Sequence, residues 1–105
     1  FWSPDGLWLI YASSAIGHDN YEVFIVQAPV GDNAAKKPAD LAKRRLTHAI
    51  GFDGLPVFNK DGRFMMWTSQ RPGDDKGMPI PPTDPRSAVK SSSQVWVAEI
   101  IRAIP

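Results

Sequence analysis

The chain carries one short pattern twice. FWSPDGLWLIYAS at its start and VFNKDGRFMMWTS near its middle share an order: an aromatic residue, a polar turn ending in Asp-Gly, an apolar run and a closing Ser. With Asp5-Gly6 laid on Asp61-Gly62, Trp2 meets Phe58, Ile10 meets Met66, Tyr11 meets Trp67 and Ser13 meets Ser69. Farther on, residues 21–26 meet residues 93–98. The offset has grown from 56 to 72, so the second copy holds a 16-residue insertion. Two ordered copies with one insertion point to duplication, and duplication points to a fold assembled from small repeated units.

Each unit reads as strands. LWLIYA (7–12) and FMMWT (64–68) are short, aromatic and apolar, which suits a pleated surface. Their nearly continuous apolar character predicts sheets covered on both faces. Asp5-Gly6 and Asp61-Gly62 are structural turns: Gly accepts positive φ, and Asp binds its own backbone. Strands are expected near 7–13, 21–27, 45–47, 55–58, 63–69 and 94–100. The outer strand of the first copy falls within 44–47, although 40–45 could instead form a helical turn behind Pro38.

Four short antiparallel strands, repeated and covered on both faces, make a propeller blade. The ordered series F-S-P-D-G, I-Y-A-S, N-Y-E-V-F-I-V and R-R-L-T resembles the WD40-like (PD40) repeat of TolB-like β-propellers. The second copy, from F-D-G-L-P-V-F through T-S-Q-R to S-Q-V-W-V-A-E-I, resembles C-terminal repeats of exported members of that group. Asn59-Lys60 departs from the family's Ser-Pro. The resemblance implies an all-β chain of just under two blades. The first would span 1–54, with a connection at 28–43, and the second, lacking its outer strand, 55–105, with an inserted loop at 70–92. Family propellers close with about six to eight blades. Such a chain is therefore a fragment or is completed by copies, and a homo-oligomer is expected if it stands alone. Open blades would expose Trp8, Phe24, Trp67 and Trp96 and an edge at 94–100.

In antiparallel sheets, successive connections alternate between the two ends. The segments 14–20, 48–56 and 70–92 therefore gather at one end, bringing His18, Asp19, His48, Phe52 and Asp53 together with the inserted loop. Imidazole and carboxylate suit a divalent ion. Asp53 is accounted for better as a holder of turn amides, a place the resembling family also gives an Asp, and no metal or other cofactor is expected. Within the proline-rich insertion, Met78 and Ile80 could contact a partner or cap the sheet. Asp74 and Asp75 read as solvated. Lys36, Lys37, Lys43, Arg44 and Arg45 form a basic stretch with no interleaved aromatics, which reads as solvated rather than as a nucleic-acid surface.

Composition narrows the function classes. A net charge of +1 draws the chain to neither nucleic acid nor anionic membrane, and no apolar run reaches the length of a span. The absence of Cys removes disulfides and thiolate metal sites. No nucleophile elbow, P-loop, dinucleotide fingerprint or zinc-protease helix is present. The resemblance implies a non-enzymatic segment that binds a protein or peptide, in a periplasmic or secreted setting. Two alternatives remain open: an accessory propeller of a serine peptidase, and a metal-dependent sugar lyase propeller.

Overall fold

The structure, a computed structural model, describes residues 1–14 and 20–100. It is all-β: two antiparallel three-stranded sheets and three short 3-10 turns. The first sheet joins β1 (Trp8–Ser13), β2 (Glu22–Gln27) and β3 (Lys43–Arg45) in that order. The second joins β4 (Asp53–Phe58), β5 (Phe64–Ser69) and β6 (Gln94–Glu99). Phe1 to Ser3 add a short fourth row beside β1 through the Trp2–Leu9 bridge. No strand among the described residues flanks the outer side of β6.

The two Asp-Gly turns match bond for bond. In the first, the Gly6 amide donates to the Ser3 carbonyl, Leu7 to Asp5 Oδ1 and Trp8 to Ser3 Oγ. In the second, Gly62 donates to the Asn59 carbonyl, Arg63 to Asp61 Oδ1 and Phe64 to Asn59 Oδ1. Both glycines have left-handed φ, 73° and 76°. Asn59 thus does the work of Ser3. The Ser3 hydroxyl and Leu7 amide hold the Asp5 carboxyl below its ordinary range, and the Arg63 amide does the same for Asp61.

Two boundaries differ from the sequence reading. The outer strand of the first sheet lies at 43–45, because register places Arg45 opposite Phe24 and Lys43 opposite Val26. The chain then leaves the ladder with a side chain: the Thr47 hydroxyl accepts the Val23 amide at 2.8 Å, where a backbone carbonyl would otherwise stand. The helical turn exists but sits earlier, as a 3-10 turn at Pro38–Asp40. Strand β4 begins at Asp53 and is broken by a bulge between Gly54 and Val57. Pro56 falls in that bulge, where no ladder amide is needed.

Strand parity sorts each sheet into two faces. Trp8, Ile10, Val23 and Ile25 share one face of the first sheet. Phe58, Met65, Trp67, Trp96 and Ala98 share one face of the second. These two faces pack into a single core, in which Ile10 and Val23 are fully buried and Trp67 is 6% exposed. Each such side chain contributes about 1.5–3 kcal/mol by leaving water. Covering is one-sided, so the expectation of two covered faces is corrected. The far side of the second sheet exposes Met66, Val95 and Val97, and Leu55 in the bulge is exposed as well, while Trp8, Phe24 and Trp96 are only partly exposed.

Candidate functional site

The connections 48–52 and 70–92 lie together at one end of the sheets, tied by Gln70. Its side-chain oxygen accepts the Phe52 amide at 2.9 Å. Its backbone N–H donates to the Phe52 carbonyl at 3.0 Å, and its own carbonyl accepts the Ser91 amide at 2.8 Å. The long loop therefore leaves and returns at one residue. Within it, Asp74 closes a tight turn by accepting the amides of Lys76 and Met78 on Oδ1. Asp84 caps the 3-10 turn Pro85–Ala88 and pairs with Arg86 at 2.7 Å. Asp74 is thus a turn former, not merely solvated.

Between these connections runs a groove of about 360 Å³. Ile50, Pro79, Ile80 and Pro82 give it apolar walls, and His48 and Arg71 stand among them as the basic groups. A shallower concavity of about 320 Å³ lies beyond, lined by Pro72, Val89 and again Ile80. Pro72 and Ile80 line both hollows. Met78 parts from Ile80: it is 58% exposed and lines neither hollow. The Phe52 ring packs against Tyr21 with centroids 5.7 Å apart. A Cβ on Gly54 would come within 2.5 Å of that ring, so Gly54 is needed for Phe52 to lie flat there. Phe52 thus packs on Tyr21 and Gly54 and is not among the residues lining the groove.

Beneath the groove is a buried polar cluster. Asp53 is fully buried, and its Oδ1 accepts Trp67 Nε1 at 2.9 Å and Arg71 NH2 at 3.1 Å. The Arg71 guanidinium also lies over the Trp67 and Trp96 rings, 5.1 and 5.9 Å from their centroids. Glu22, equally buried, accepts Thr47 Oγ1 at 2.9 Å and Arg45 NH2 at 2.5 Å. Its carboxyl also meets that of Asp53. Burial pushes the Glu22 carboxyl above its ordinary range, the Asp53 carboxylate adds to this, and Arg45 and Thr47 oppose it.

Of the residues singled out from sequence, His48 and Ile80 come together at the groove, and Asp53 has its amide bonded to the Tyr21 carbonyl and its carboxyl holding the Trp67 and Arg71 side chains, not the turn amides expected of it. His18 and Asp19 lie outside the described residues. Among the described residues, no three His, Asp or Glu side chains converge as metal ligands, and no helix is long and apolar enough to cross a membrane. Sequence reasoning missed Glu22, Thr47 and Arg71, and it placed Arg45 in a solvated run although Arg45 is bound to a buried acid. The one available signal was Glu22 itself, a lone acid at the head of the apolar run VFIV.

Compared with family models, curated proteins and solved structures, the chain finds no match.

Proposed function

We propose that the chain is a non-enzymatic binding and scaffold module, a stretch of TolB-like β-propeller whose loop end takes a protein or peptide partner. The observation that carries this reading is how the two copies meet. By the repeat, Trp8, Ile10, Val23 and Ile25 of the first copy correspond to Phe64, Met66, Val95 and Val97 of the second. The first set is packed in the joint and the second faces outward. Leu9, Tyr11 and Phe24 likewise correspond to Met65, Trp67 and Trp96, the face that receives the joint. The units therefore stack head to tail, as blades do, and each free face matches one already in use. In this reading a further unit, from the same chain or a second copy, covers those faces, and the setting is periplasmic or secreted.

The groove supports the binding half of the proposal. Apolar walls with a few polar groups suit an extended peptide, and a groove framed by prolines loses little freedom on binding. A fluorescence-anisotropy screen of extended apolar peptides tests it. Ile80→Asp is expected to weaken any hit at least about tenfold, or about 1.4 kcal/mol, whereas Val97→Lys on the far face leaves it unchanged. A hit unaffected by Ile80→Asp counts against the groove.

A further inference from the structure

The two buried carboxyls belong to different sheets: Glu22 heads β2 and Asp53 heads β4. On Glu22 both oxygens have a donor, Thr47 on Oε1 and Arg45 on Oε2, whereas on Asp53 Trp67 and Arg71 share Oδ1. Asp53 Oδ2 is different. It is buried and accepts no hydrogen bond from the described residues, and the bond from the Asp53 amide to the Tyr21 carbonyl at 2.9 Å sets Asp53 next to Glu22. A buried carboxylate oxygen with no donor, facing a second carboxylate, is unfavourable both by desolvation and by like charge. One proton removes both penalties at once.

We propose that Glu22 and Asp53 hold a single proton between them, so that the seam between the two sheets is closed by a carboxyl-carboxylate hydrogen bond and is weakened as pH rises. Glu22 carries the proton and donates it to Asp53 Oδ2. Arg71 and Trp67 hold Asp53 by its other oxygen, Oδ1. The groups facing the pair are Arg45 from β3, Thr47 beyond it, Trp67 from β5 and Arg71 after it; β1 presents the neutral Ser13 opposite Glu22. Arg45 and Arg71 are partly exposed, at 29% and 21%, so water screens their charge more than it screens the pair.

The sign follows from linkage. With the Glu22 carboxyl raised above the ordinary 4.5, the folded chain holds a proton that the unfolded chain has released. Stability from this pair is fully present below about 4.5 and is lost as pH rises through the folded value. Thr47 and Arg71 each hold one carboxyl and also line the groove, so release of the proton reaches the groove floor. The inference does not depend on the propeller reading or on any partner.

Two measurements test it. Carbon-detected NMR titration of the unmodified protein should show Glu22 titrating above an ordinary Glu. Urea unfolding across pH 4 to 8 should show Glu22→Gln flattening the decline in midpoint seen in the parent, because the Gln amide supplies the same donor without ionising. A Glu22 titration at or below the ordinary value overturns the proposal, as does a Glu22→Gln profile parallel to the parent's. The titration decides the question even if the variant does not fold.

Discussion

Leu55 has a φ of 53°, the one non-glycine residue of positive φ among those described, and it is 72% exposed. Left-handed backbone costs an ordinary side chain about 1–2 kcal/mol, whereas Asn tolerates it. Leu55→Asn is therefore expected to raise stability by about 0.5–1 kcal/mol, and Leu55→Val to lower it by about as much, both read from urea midpoints. An unchanged midpoint in both would mean that the bulge carries no strain. The position was not legible in advance, since nothing in Asp-Gly-Leu-Pro announces a bulge. Residues whose role is local were legible: Asp5 and Asp61 bind the amides two residues on, as their dipeptides require. Residues whose role depends on a distant partner were not. Arg45 looks like one more member of a basic run until Glu22, 23 positions earlier, is placed beside it.

At the level of elements, apolar content located five of the six strands, while the basic β3 lies at Lys43–Arg45, two residues before the expected 45–47, and the ladder set the ends. Strand β3 stops before Thr47 because a hydroxyl, not a carbonyl, meets the Val23 amide, and composition does not distinguish the two. Trp67 is the strongest test of β5, since it supplies both apolar area and a donor to Asp53. Trp67→Ala is expected to cost about 3–5 kcal/mol. Trp67→Phe keeps most of the packing and should cost about 1–2 kcal/mol, mainly by leaving Asp53 Oδ1 with Arg71 alone. Equal losses in the two variants would make the indole N–H, not the ring, the main contribution. The inserted loop could be read as stiff from its prolines, but its attachment at Gln70 could not, because one Gln in TSQR carries no mark of a residue that binds on three sides.

For the whole molecule, the uncovered face is the decisive feature. Met66, Val95 and Val97 form an apolar patch with a paired strand on one side only. Sedimentation of dilute protein is expected to show concentration-dependent association, reduced by Val97→Lys without loss of the folded signal. Association that survives that change would shift the contact to the opposite face, at Tyr11 and Phe24. The repeat implied open faces before any coordinates but set them at Trp8, Phe24, Trp67 and Trp96, whereas Met66, Val95 and Val97 are exposed and Trp67 is buried. Which face is covered could not be read, since both are apolar. The joint has a further consequence of a geometric kind. It binds a front to a back, so it has a direction and no chemical stop, unlike a contact between like surfaces, which is satisfied once. How many units accumulate is then decided by the small turn each one makes relative to the last: a fixed turn about a single axis returns the last unit to the first, and any advance along that axis leaves the series open.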